Sequence, residues 1–143
     1  MTKTLFTSNS SSLSDTKKIA SEVVKYISPG SFVALKGNLG AGKTQLVKYI
    51  SEQYGVYSVS SPTFAIVNEY NGTFKIYHFD FYRIKNENEL IDLGWFDYIN
   101  DENAIIFTEW ADLFPALIPA SCYNINIIND NPENRIITLE KIE

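Results

Sequence analysis

Gly37-Asn38-Leu39-Gly40-Ala41-Gly42-Lys43-Thr44 decides the reading of this chain. The eight residues match the phosphate-cradling pattern G-x-x-x-x-G-K-[S/T] in full. Glycines let the backbone curl and approach a phosphate closely. A curled backbone turns successive N–H groups inward as an anion nest, and a following helix adds its positive end. Lys43 brings a compact charge to β- and γ-phosphates, and the Thr44 hydroxyl can ligate Mg²⁺ beside phosphate oxygens and water. By average composition the pattern would arise in roughly one chain of this length in 200. The flanks agree with it: an apolar run at Phe32–Lys36 reads as a buried strand, and residues 45–54 read as a helix that Gly55 stops. Asn38, Leu39, Gly40, Ala41, Gly42, Lys43, Thr44 and Gln45 are therefore the expected nucleotide contacts.

Further along, a nucleotide site of this type needs a carboxylate at the end of a buried strand to hold the Mg²⁺ shell. Asp80 follows a strand expected over 74–78, and Glu109 follows one over 104–108. Both would stand where α/β sheets bind ligands. His78, the single histidine, shares a strand face with Asp80 by alternation and reads as a hydrogen-bonded structural residue. Arg83 reads equally as an arginine finger in cis or a surface cation, and Trp110 equally as core or ligand contact. Cys122 reads as a small buried hydrophobe. Ser61-Pro62-Thr63-Phe64 lies where a switch segment would sense a γ-phosphate through one hydroxyl; an ordinary proline turn explains it as well.

The remaining chain fills in a mixed α/β pattern. Ser12 with Asp15 fits a capping box for an amphipathic helix over 15–27. Alternation over 64–70, the Asn71-Gly72 pair and a return strand from Phe74 read as a hairpin. Residues 86–93 read as a weak helix ending at Gly94, and strands over 123–128 and 135–142 as a second hairpin around 129–134. The expected architecture is one domain over 1–143 with a mixed sheet, antiparallel hairpins and flanking helices. With 143 residues, 45% hydrophobic and 20% charged, the chain has a globular composition. A net charge of −5 argues against direct binding to nucleic acid. One cysteine permits no internal disulfide. Apolar runs of about four residues fall far short of the roughly 20 a membrane span needs, and the first residues lack a signal peptide's apolar core. A cytoplasmic protein with no membrane partner is the expectation.

Taken together, GNLGAGKT, SPTF, HFDFYR and a strand ending in TEW resemble the TsaE family of small P-loop ATPases of bacterial tRNA threonylcarbamoyladenosine biosynthesis. The loop alone is shared widely; the later segments at this spacing are more specific. The resemblance runs from about residue 15 to 119. It implies a Mg²⁺-dependent ATPase that does not itself modify RNA. ATP turnover would instead support a separate protein pair that transfers threonylcarbamoyl to the adenosine beside the anticodon, so contact with tRNA would be indirect. It also implies catalytic roles for Lys43, Glu109, Asp80 and Thr63, metal ligation by Thr44, Asp80 and Glu109, and a place near the nucleotide for Trp110. Asn38 departs from the family's usual aspartate. Two other readings stay open on the residues alone: a small kinase passing the γ-phosphate to a metabolite, and a nucleotide-binding regulator without turnover.

Overall fold

A computed structural model describes residues 1–38, 41–59 and 66–143. They form one seven-stranded mixed sheet between helical layers. In chain order the elements are β1 (Thr2–Ser10), α1 (Leu13–Val23), β2 (Phe32–Lys36), α2 (Lys43–Glu52), β3 (Val67–Asn71), β4 (Lys75–Asp80), α3 (Glu87–Leu93), α4 (Trp95–Ile99), β5 (Ala104–Glu109), β6 (Cys122–Asn131) and β7 (Asn134–Ile142). The sheet order is β1-β7-β6-β2-β5-β4-β3. β2 runs parallel to both β5 and β6, and β4 parallel to β5. The outer strands pair antiparallel. The expected α/β architecture is thus the observed one, with the loop-bearing strand near the centre.

Two apolar layers hold the sheet. On one face α1 and α2 bury Ile19, Val23, Leu46, Val47 and Ile50 against Val33, Leu35, Ile105 and Phe107. On the other, Leu90 and Trp95 cover Phe32, Tyr77, Phe79 and Ile106. Trp95 is fully buried, its ring meeting Phe79 edge-on at 5.0 Å and its Nε1–H donating to the Leu117 carbonyl at 2.9 Å.

Local sequence accounts for most boundaries. Ser12 Oγ accepts the Asp15 N–H at 3.0 Å and starts α1, but the Asp15 carboxylate accepts from the N–H and Oγ of Ser11, not from Ser12 as a capping box requires. α1 ends at Val23, with Tyr26 N–H tightening back onto the Val23 carbonyl, short of the expected Ile27. α2 begins at Lys43 and ends at Glu52, two residues ahead of expectation at both ends. Asn86 caps α3, and Gly94 closes it at φ +105°. The second hairpin is longer than expected. Asn131 pairs with Asn134, and only Pro132 and Glu133 stand between them. β1 and α4 had no counterpart in the sequence reading. β1 carries a register break between Thr4 and Phe6, which interrupts the two-residue alternation by which a strand is read.

The first hairpin forms, but the return strand starts at Lys75, and residues 72–74 make the loop. Phe64 and Ala65 of its expected first strand lie outside the described residues. Gly72 is needed for close approach: a Cβ there would overlap the Tyr54 carbonyl oxygen and sit 2.7 Å from Val56 Cγ2. Thr73 N–H donates to that same carbonyl at 2.6 Å, which ties the hairpin tip to the end of α2. Gly72→Ala is therefore expected to lower stability by about 1–3 kcal/mol through overpacking. The check is a lower urea midpoint at unchanged slope; an unchanged midpoint would show that the two segments part readily.

Candidate active site at the strand ends

β2, β5 and β4 end side by side. In register, Leu35 lies beside Glu109, and Glu109 beside Asp80. The loop after β2 leads into α2. Within it, the Ala41 N–H donates to the Asn38 carbonyl at 2.9 Å, and Gly42 adopts φ +100°, a left-handed turn suited to glycine. Thr44 and Gln45 sit half-buried in the first turn of α2. Leu39, Gly40 and Thr63, with the whole Ser61-Pro62-Thr63-Phe64 segment, lie outside the described residues.

Lys43 corrects an expectation. Its place in the motif suggests a side chain turned to ligand and away from the interior, yet it is 7% exposed. Its ammonium donates to the Gly37 carbonyl at 2.8 Å, lies 3.8 Å from Glu109 Oε1 and stands 4.9 Å over the Trp110 ring. A cation this buried requires partners, and the carbonyl, carboxylate and ring provide them.

Glu109 is the junction of the site. Its second oxygen, Oε2, is 2.7 Å from Nε2 of His78, which is fully buried. Lys43, Glu109 and His78 therefore form one connected polar chain beneath the loop. Among the described residues His78 Nδ1 has no partner, so the imidazole's visible polar contact is spent on Glu109. The sequence reading put His78 on the strand face of Asp80, and β4 does run on to Asp80. The parallel pairing of β4 with β5 adds Glu109 as the hydrogen-bond partner of His78.

Asp80 stands where expected, at the end of β4. Its Oδ1 accepts the Tyr82 N–H at 3.0 Å and caps the 3-10 turn Phe81–Arg83. Burial raises its pKa first, and the Glu109 charge adds to the rise; the Tyr82 N–H, Arg83 and His78 oppose it. Arg83 is exposed and forms no ion pair among the described residues. Cys122 is buried as expected, and burial pushes its thiol pKa up.

Trp110 is the one non-glycine with positive φ among the described residues, at φ 61°, ψ 32°. Such a conformation costs of order 1–3 kcal/mol and persists where the surroundings hold it. The Tyr82 ring lies 5.2 Å from the indole ring, and the Lys43 ammonium stands over it at 4.9 Å. The indole forms a wall of an open cleft of about 210 Å³ that Gly37, Asn38 and Lys43 also line.

Among the described residues no cluster of three His, Cys, Asp or Glu side chains could hold a metal unaided. Thr44, Asp80 and Glu109 do suit Mg²⁺ that brings phosphate oxygens and waters, since that ion needs few protein ligands. The raised pKa of Asp80 next to Glu109 is a strain that a cation would relieve. No helix among the described residues is long and apolar enough to cross a membrane.

A family model described as "Threonylcarbamoyl adenosine biosynthesis protein TsaE" matches residues 10–137. A Bacillus subtilis (strain 168) protein named tRNA threonylcarbamoyladenosine biosynthesis protein TsaE is 37% identical over 130 residues, which cover 90% of this chain and 80% of that one. A Haemophilus influenzae protein of the same name is 38% identical over 114 residues, covering 78% and 72%. The crystal structure of Bacillus subtilis YdiB superposes with a TM-score of 0.81 at 30% identity, covering 100% of this chain and 88% of that one.

Proposed function

Because the chain belongs to the TsaE family, we propose that it binds Mg²⁺ and ATP at the loop from Asn38 to Gln45 and hydrolyses the γ-phosphate. The turnover supports formation of tRNA threonylcarbamoyladenosine by partner enzymes in the cytoplasm. The observation that carries this reading is the buried Lys43–Glu109–His78 chain set directly under the phosphate loop.

Each residue has a part in the proposed reaction. The loop and first-turn N–H groups hold the phosphates. Lys43 leaves the Gly37 carbonyl for the β- and γ-phosphates, keeping its charge in the same cleft. Thr44, Asp80 and Glu109 hold Mg²⁺ directly or through its waters. When bound, the ion neutralises phosphate charge as a Lewis acid. Glu109 orients the attacking water and takes its proton at Oε1, while His78 fixes Oε2 and hence the direction of the carboxylate. Thr63 is assigned the switch role on its sequence position alone. Trp110 borders the nucleotide.

The partners proposed are the protein pair that transfers threonylcarbamoyl. With a net charge of −5, contact with tRNA is assigned to them. The deciding experiment measures phosphate release with and without that pair. Release into water, stimulated by the pair, supports the reading. Transfer to a small acceptor would make the chain a kinase, and binding without turnover in the full assembly would make it a regulator.

Trp110 should report the nucleotide directly. ATP titration is expected to change tryptophan emission, and Trp110→Phe should remove most of that change, because Trp110 lines the cleft beside Lys43 while Trp95 is wholly buried in the core. A Trp110→Phe protein with the full signal would place the indole away from the ligand.

A further inference from the structure

Arg135 comes from a segment without any motif, yet it stands against the phosphate loop. It begins β7, opposite Asn129 of β6 and Ser10 of β1. β7 runs antiparallel to β6, which is parallel to β2, so its first residues lie at the same sheet edge as Glu109 and Asp80. Alternation puts Arg135 on the face of Ile137 and Leu139, which pack with α1 and α2. The guanidinium meets the loop there: a methyl group on Gly42 would lie 3.3 Å from Nη1 and 3.5 Å from Cζ.

Its electrostatic setting is unfavourable as it stands. Gly42 precedes α2, whose N-terminal end carries a partial positive charge, and Lys43 is the next residue. The side chain of Arg135 makes no hydrogen bond or ion pair among the described residues, although the chain has more acidic than basic residues. Nearby, Glu109 is taken by Lys43 and His78. Arg135 is partly buried, and a guanidinium beside the positive end of a helix is suited to donate charge-assisted hydrogen bonds to an anion.

The two cations flank β2 from opposite sides. Lys43 leans toward β5, to Glu109 and Trp110, where the γ-phosphate and water are assigned. Arg135 approaches from the β6–β7 side. We propose that Arg135 is a phosphate-binding residue of the nucleotide site, holding the α-phosphate from the side opposite Glu109. The inference rests on the ATP reading above and adds a contact that lies outside the loop, on the C-terminal hairpin. Arg suits it because its planar donors can span two phosphate oxygens.

Calorimetry with ADP on Arg135→Gln and Arg135→Lys tests the assignment, with thermal unfolding of the ligand-free proteins alongside. Arg135→Gln is expected to weaken ADP binding about 10-fold or more, and Arg135→Lys to recover part of the loss by restoring the charge. Neither change should lower the ligand-free melting temperature, since Arg135 has no protein partner to lose. ADP affinity within twofold of wild type in Arg135→Gln would overturn the proposal. So would a lysine variant no better than glutamine, which would point to stacking on the base. A clear fall in ligand-free melting temperature in both variants would make Arg135 structural. Failure of the wild-type protein to bind ADP would instead remove the nucleotide reading itself, and this assignment with it.

Discussion

Glu109→Gln is expected to keep ATP affinity within a few-fold of wild type and to slow hydrolysis by about 10²–10⁴-fold, even in the complete assembly. The substitution preserves size, so the buried end of β5 stays filled. An amide cannot take a proton from water at Oε1, whereas the phosphate contacts of the loop and Lys43 remain. Lys43 also loses the carboxylate 3.8 Å away that competes with phosphate for its charge, so binding has a reason to hold or to strengthen. Asp80→Asn separates the two acids. Asp80 uses Oδ1 to cap the turn after β4, and an asparagine oxygen can still accept that bond. Its main effect should fall on the Mg²⁺ dependence of binding. Single-turnover hydrolysis by Glu109→Gln at the wild-type rate would leave Glu109 a structural anchor for Lys43 and His78.

The phosphate loop was legible because its chemistry fixes residue types at fixed sequence spacing, and the end of α3 was legible from Gly94, whereas Asn86 was read as its first residue and proves to be its cap. What escaped reading depends on register and on distant pairing. His78 meets Glu109 across 31 positions only because β4 pairs with β5 in parallel. Arg135 reaches Gly42 through two further strands, and no local pattern in 134–142 announces it. Trp110 turns left-handed without being glycine, asparagine or aspartate, so the backbone that aims the indole has no signature in sequence. Gly72 was read as a turn former, yet its φ is not positive, and it is needed because the end of α2 presses on it. In each case tertiary contact, not local preference, sets the residue's role.

Lys43→Ala should lose ATP affinity by roughly 10–100-fold, the size of a charge-assisted hydrogen bond of about 1.5–3 kcal/mol. Burial of Lys43 adds a second consequence. Removing the ammonium takes from Glu109 the cation at 3.8 Å and leaves a carboxylate that is 7% exposed with His78 as its remaining polar partner. Breaking one side of a buried pair is costlier than the pair is worth. The ligand-free protein should therefore also lose stability, by about 1–3 kcal/mol, the penalty of an unsatisfied buried polar group. The two effects separate in a double-mutant cycle with Glu109→Gln. If the stability loss comes from the stranded carboxylate, Lys43→Ala in the Glu109→Gln background should cost clearly less than Lys43→Ala alone. The affinity loss should persist in both backgrounds, because it arises from phosphate rather than from Glu109. Additive stability losses would instead assign the cost to contacts of Lys43 other than Glu109, such as its ammonium over the Trp110 ring. Undiminished ATP affinity in Lys43→Ala would refute the phosphate role of Lys43, since that loop would then hold ATP without its one cation.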